Sequence, residues 1–225
     1  MSSLAVRERN NIYPVYQPIY SLEKMRIVGY EALIRSQTGL SPIELFNRAE
    51  KEGRTVEFDI ECINSAILNI PRIRGVLFLN IRPSTLMWLS KNNYNRLNIP
   101  TNKVVLEITE VEEISDMECF IKVLENLREL GYRYSIDDIA TGFNRLHLVL
   151  ASAPDYIKLD GPIIKDCDKY SNKCSVIKHL VAIGKDIGSI VIAENIENCN
   201  ELQIVKDLGV TYAQGFYLGR PSAVI

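Results

Sequence analysis

Short runs that are apolar on both faces, separated by segments with a helical stripe, recur along this chain. VLFLNI at 76–81 is typical of them. A strand that shows water neither face is a parallel strand covered by helices, because an antiparallel sheet usually leaves one face wet and alternates. The pattern therefore confines the chain to the α/β class. Strands are expected at 13–20, 27–35, 76–83, 103–109, 132–137, 156–160, 190–194 and 212–217. Helices are expected between most of them. Ser41-Pro42-Ile43-Glu44 supplies a cap, a first-turn proline and a capping-box acid, and the helix it opens ends at Gly53. Further helical patterns cover 56–70, 85–89, 116–130, a short stretch within ATGFNRLHLVL, 175–185 and 201–208, the last with Asn198 as cap. The stripe of the fourth is Phe120, Ile121, Leu124, Leu127 and Leu130, with Gly131 at its end.

With roughly eight strands in 225 residues, a closed TIM-like (β/α)8 barrel leads, and an open doubly wound sheet is second. The open sheet lacks support, since no G-x-G-x-x-G follows the first strand and no G-x-x-x-x-G-K-[ST] occurs. Pro14 and Pro18 mark the first strand as irregular or as an edge. Residues 1–12 read as an N-terminal extension and 13–225 as a single barrel domain. A net charge of −2 offers no basic field for DNA. The five cysteines are scattered and form no C-x-x-C pair, which suits a reducing cytoplasm. No apolar run is long enough to span a membrane and residues 1–14 contain no apolar signal core, so a soluble cytoplasmic protein is expected.

The polar residues that interrupt these runs carry the chemistry. Glu31, Asn80, Glu107, Asp137 with Asp138, Lys158, Glu194 and Gln214 each lie in or at the end of a different strand candidate. In a barrel the carboxyl ends of the strands meet around one mouth, where such folds do chemistry. That many acids cannot stay ionised together in a partly buried volume without countercharge, and one lysine is too little. An all-oxygen donor set without His or Cys points to Mg²⁺ or Mn²⁺. Adjacent aspartates suit two ions close together, the arrangement that clamps attacking and leaving oxygens in phosphoryl transfer. Lys158 would hydrogen-bond the attacking water and Glu194 would accept its proton. A one-metal barrel enzyme that abstracts a proton with Lys158 as base is the rival chemistry, and the aspartate pair counts against it. Glu112 and Glu113 read as acids preceding a helix, His147 and His179 as packing or surface residues, and Cys62 and Cys119 as helix core.

Tyr16-Gln17-Pro18-Ile19, Glu31-Ala32-Leu33 with Arg35, Leu106-Glu107-Ile108-Thr109-Glu110, Asp137-Asp138, Lys158-Leu159-Asp160, Ala193-Glu194 with Glu197, and Gln214-Gly215-Phe216 occur in this order. Together they resemble the EAL domain, a family of bacterial cyclic-di-GMP phosphodiesterases, over residues 13–221. The resemblance implies a TIM-like barrel whose first strand is antiparallel to the rest, and hydrolysis of cyclic di-GMP to linear pGpG by a homodimer. It implies that Glu31, Asn80, Glu107 and Asp137 hold one ion, with Asp137 bridging to a second held also by Asp138 and Glu194. Lys158 would orient the water, and Glu194 would be either base or ligand. Gln17, Leu33 and Arg35 would line the substrate groove, Gln214 would bond near the water or metal shell, and Glu110 would anchor the loop after Asp138.

That loop departs from the family's DDFGTG, having Ile139 and Ala140 in place of an aromatic and a glycine. The following Ser-Ser is Asn144-Arg145, EGVE is Glu194-Asn195-Ile196-Glu197, and Ser36 follows Arg35 where tryptophan is frequent. A module that only senses cyclic di-GMP or binds a partner protein is the alternative function. The altered loop favours it, and the complete set of acids opposes it.

Overall fold

In the computed structural model, which describes residues 12–92, 94, 99–139 and 145–223, the eight strands close into one barrel in sequence order. They are β1 (Ile12–Ser21), β2 (Arg26–Ser36), β3 (Val76–Ile81), β4 (Val104–Ile108), β5 (Arg133–Ile136), β6 (Tyr156–Leu159), β7 (Ile190–Ala193) and β8 (Tyr212–Ala213). β1 is antiparallel to both neighbours, β2 and β8, while every other adjacent pair is parallel. The helices are α1 (Pro42–Lys51), α2 (Thr55–Ile67), α3 (Pro83–Asn92), α4 (Met117–Glu129), α5 (Arg145–Ser152), α6 (Gly161–Ile164), α7 (Ser171–Ile187) and α8 (Cys199–Asp207). Residues 1–11 of the N-terminal extension and Ala140 to Asn144 lie outside the described residues, while Ile12 already belongs to β1.

β1 is a ten-residue strand in spite of its prolines. Tyr16 exchanges backbone hydrogen bonds with Ser222, so its N–H points away from β2. Pro14 and Pro18 share its parity, and their missing N–H groups face that same side. There the two-residue β8 pairs only with Tyr20 and Ser21, so neither proline removes a ladder bond to β2.

The two-residue period of the strands sorts their side chains into layers. Leu77, Leu79, Leu106, Ile108, Ile136, Ile157, Leu159 and Val191 point outward into the main core beneath the helices. Ile19, Phe78, Val105, Tyr156 and Ile192 point inward and plug the barrel, with Phe78 edge-on to Tyr156 at 5.0 Å between ring centroids. Two residues further toward the mouth, the same inward parity brings Asn80, Glu107, Lys158, Glu194 and Gln214, and one strand reversal brings Gln17. The apolar plug is thus the floor on which the polar layer stands.

Several boundaries differ from expectation. α3 runs from Pro83 to Asn92, twice the expected length, and at its start Glu112 accepts hydrogen bonds from the Ser84 N–H (2.9 Å) and Oγ (3.0 Å), satisfying the free N-terminus. Glu112 therefore serves α3 rather than the helix that follows it, which Asp116 caps. The buried stripe of α4 is Phe120, Val123, Leu124 and Leu127, and Leu130, at the C-cap, is 53% exposed. β8 stops at Ala213 because Gly215 must pass against Ile196. An added Cβ there would meet the Ile196 nitrogen at 2.2 Å, so Phe216 and Tyr217 form a turn. His147 and His179 are exposed and Cys62 is buried.

Phe78→Ala should open a cavity in the barrel floor and cost about 3–5 kcal/mol in denaturant unfolding. Ile43→Ala, at a side chain 72% exposed, should change stability by about 0.5 kcal/mol or less. A loss of under about 1 kcal/mol for Phe78→Ala would mean the plug does not carry the floor.

Candidate active site

Lys158 sits at the centre of the polar layer, 1% exposed on β6. Its Nζ lies 2.5 Å from Glu107 Oε1, 2.7 Å from Glu194 Oε1, 3.5 Å from Glu31 Oε2 and 3.7 Å from Asp137 Oδ1. Glu31 comes from the middle of β2, Glu107 from β4, Asp137 from the end of β5 and Glu194 from the end of β7. One ammonium thus faces four carboxylates. Three amides complete the layer. Asn80 Nδ2 donates to Glu31 Oε1 at 3.0 Å. Gln214 Nε2 donates to Glu31 Oε2 at 2.5 Å and to Gln17 Oε1 at 3.0 Å, and Gln17 Nε2 donates to the Gly219 carbonyl.

The protonation balance follows from these contacts. Burial drives Glu107 and Glu194 well above the usual carboxylate range, and the neighbouring acids add to it beyond what Lys158 offsets. Glu31 is also pushed up by burial, but the Lys158 charge and the bonds from Asn80, Gln214 and Lys158 outweigh this and hold it down. Burial opposes the charge on Lys158, yet the surrounding acids raise its pKa well above normal and keep it an ammonium. Asp138 is raised to about 7 by burial and by the charges of Asp137 and Glu110.

Asp138 has φ +47°, a conformation uncommon outside glycine, asparagine and aspartate, and its N–H bonds back to Asp137 Oδ1 at 3.0 Å. Carboxylate oxygens of Glu110, Asp137 and Asp138 all lie within 4.8 Å of one another. The acid grouped with the aspartate pair is thus Glu110, expected to anchor a loop, whereas Glu194 turns to Lys158. Glu107 Oε2, Ser135 Oγ and Gln214 Oε1 are buried without a partner among the described residues. An excess of acid over base, an all-oxygen donor set and an orphaned buried carboxylate oxygen fit hard divalent cations.

Beside this layer opens a cavity of about 250 Å³ lined by Glu31, Leu33, Arg35, Asn80, Arg82 and Phe46. One wall is the end of β2, which pairs with β3 only through Gly29 to Ala32, so that Leu33 to Arg35 stand above the mouth. A family model described as the EAL domain matches residues 2–221. The chain belongs to the EAL domain family. The EAL barrel is 31% identical to Klebsiella pneumoniae BlrP1, solved with manganese and cyclic di-GMP, over 96% of this chain and 57% of that one, with a TM-score of 0.83. It is 29% identical to the signaling protein YkoW of Bacillus subtilis over 92% of this chain. It is 27% identical to the cyclic di-GMP phosphodiesterase PdeB of Shewanella oneidensis over 95%. The chain spans less than a third of the length of these two curated relatives, 28% and 27%. Among the described residues, no helix is long and apolar enough to cross a membrane.

Of the EAL site residues expected from sequence, Glu31, Asn80, Glu107, Asp137, Lys158, Glu194, Gln17 and Gln214 share the polar layer, and Leu33 and Arg35 line the cavity. Asn195 stands where EGVE has glycine and adopts φ +55°, which asparagine tolerates. Sequence reasoning passed over two residues. Glu201 of α8 is 1% exposed and accepts the Asp166 and Glu197 N–H groups, each at 2.9 Å, which fixes the loop carrying Glu194. Arg145 is 3% exposed and donates to the Thr109 carbonyl at 2.6 Å, giving the acids a second buried cation where Lys158 alone was expected. An arginine just inside a helix after a loop carries no periodic signal that would have marked it as buried.

A raised carboxylate pKa sets the sign of a pH test. Asp138 titrates near 3.8 in an unfolded chain and at about 7 when folded without metal. Its contribution is complete below the unfolded value and is lost as pH rises through the folded one. In chelator, Asp138→Asn should therefore gain stability relative to the native chain between about pH 4 and about pH 7 and level off above that. Urea unfolding across that range is the measurement, and a flat difference would contradict the shift.

Proposed function

We propose that this barrel hydrolyses cyclic di-GMP to linear pGpG. The observation that carries the reading is Lys158, buried among Glu31, Glu107, Asp137 and Glu194 beside a groove walled by Leu33 and Arg35. It is supported by likeness to proteins whose names and complexes include cyclic di-GMP. Arg35 presents a planar fork of donors on the groove wall, suited to a phosphate. Glu31, Asn80, Glu107 and Asp137 would hold one divalent ion, Mg²⁺ or Mn²⁺, and Asp137, Asp138 and Glu194 or Glu110 a second. Bound there, the pair would supply Lewis acidity and lower the pKa of a water at the phosphate.

The chain's own groups do the rest. Lys158 donates to the attacking water and keeps a fixed positive charge facing the phosphate. Glu194, half-buried at the rim and 2.7 Å from Lys158 Nζ, takes the proton of that water. A water-oxygen bond to phosphorus forms as one ester bond to a ribose 3′-oxygen breaks, and solvent protonates the leaving oxygen. Gln214 holds Glu31 and Gln17 through its Nε2, and Gln17 Nε2 is in turn spent on the Gly219 carbonyl. A homodimer would find an apolar face in Leu146 and Leu150 of α5, 43% and 55% exposed. No DNA or membrane is part of the reading, and the setting is the cytoplasm.

Chromatography of the products of cyclic di-GMP with Mn²⁺ or Mg²⁺ tests this directly. The native chain should release pGpG, and Glu31→Ala and Lys158→Met should each lose at least about 10²-fold. Tight binding of cyclic di-GMP with no pGpG in either metal would establish the sensing alternative in its place.

A further inference from the structure

The cavity beside the polar layer carries a second arginine that the proposed mechanism does not use. Arg82 follows β3 directly, two residues past Asn80, and lines the cavity with Asn80, Glu31 and Phe46. It is held on several sides. Its backbone N–H donates to Asp59 Oδ2 at 2.9 Å, and its Nη1 lies 3.0 Å from Glu112 Oε1. Its guanidinium carbon stands 4.2 Å from the centre of the Phe46 ring, which packs edge-on against Phe58 at 4.9 Å between centroids. Glu112 is itself fixed by the Ser84 N–H and Oγ at the start of α3. The Arg82 side chain is 15% exposed, so its planar fork is set in place before any ligand arrives. A guanidinium has five N–H donors and Glu112 meets one nitrogen, so the fork keeps donors for a second partner.

The surroundings decide what that partner is. Glu112 already compensates the charge of Arg82, which therefore offers hydrogen-bond donors rather than net charge. A phosphate asks for the reverse, and Arg35, which bonds only a backbone carbonyl among the described residues, supplies it better. Ile63, Ala66 and Leu79 make the adjoining wall of the cavity apolar, a lining for a flat ring rather than for a phosphate. A volume of about 250 Å³ takes one base and not a whole cyclic dinucleotide. Guanine shows two adjacent acceptors, O6 and N7, on one edge, and an arginine fork pairs with both, whereas adenine puts an amino donor where O6 stands. We propose that Arg82 reads the O6/N7 edge of one guanine and so sets a preference for guanine over adenine. The inference rests on the cyclic di-GMP reading above and adds to it the residue that selects the base.

The test compares kcat/KM on cyclic di-GMP and on its adenine counterpart, cyclic di-AMP, for the native chain and for Arg82→Met. Methionine keeps an apolar stem over Phe46 and removes every donor. Arg82→Met should lose at least about fivefold on cyclic di-GMP, as one bidentate pair implies, and its guanine-over-adenine preference should shrink by a similar factor. Cyclic di-GMP built with 7-deazaguanine, which lacks N7, should be cleaved by the native chain at least about fivefold less efficiently. Arg82→Met should treat the two guanine compounds alike within about twofold. A general loss of structure would lower both bases together and leave the preference where it was. An unchanged preference in Arg82→Met, or no penalty for the 7-deaza compound on the native chain, would overturn the proposal while leaving hydrolysis standing. Should the native chain bind cyclic di-GMP without cleaving it, the same comparisons made on dissociation constants decide, and no binding at all would overturn both readings. Should Arg82→Met fail to unfold cooperatively, the 7-deaza comparison on the native chain still decides.

Discussion

A lysine ammonium buried to 1% exposure is among the costliest groups a protein can place in its interior, and the barrel mouth is arranged around this one. Strands β2, β4, β5 and β7 each deliver a carboxylate to Lys158, so its charge is neutralised only if the barrel closes in register. The reverse dependence is as strong. Without the ammonium, Glu107 would be a fully buried acid among other acids, with no cation among the described residues within bonding distance. Closing the sheet and assembling the site are therefore one event rather than two.

The floor beneath this layer explains why so polar a mouth is compatible with a stable barrel. Phe78, Val105, Tyr156, Ile192 and Ile19 fill the interior, and each lies two residues along its strand from a polar partner. Strand alternation thus converts a sequence spacing of two into a step of one layer. A one-residue slip of any of these strands would turn a polar side chain outward into the helical core and an apolar one inward. The register is fixed from both faces.

Most of this was legible in the sequence because it depends on period. Runs of Val, Ile and Leu marked the strands, and polar interruptions at their ends marked the layer, including Asn80, Glu107 and Lys158. What escaped depends on contacts between segments distant in the chain. Glu112 looked like an ornament of the next helix and instead caps α3, 28 residues earlier. Arg145 follows the loop after Asp138 with no pattern to reveal its burial, and Glu201 looked like an ordinary first-turn acid of α8. The prolines of β1 argued against regularity, and only the direction of the Tyr16 hydrogen bonds shows why they do no harm. The grouping of the acids also required coordinates, since adjacency in sequence links Asp137 to Asp138 but says nothing of Glu110.

The reversed first strand has a mechanical meaning. In an all-parallel barrel the polypeptide enters at the end opposite the reactive face. Here Ile12 pairs with Ser36 and Tyr13 with Arg35, so the chain enters at the rim of the groove itself. Five residues later the same strand places Gln17 opposite Glu31. A tension applied ahead of Ile12 would travel along one continuous ladder of hydrogen bonds and arrive at the wall that carries Arg35 before it reached any helix. Entry point and groove wall are thus one edge of the barrel.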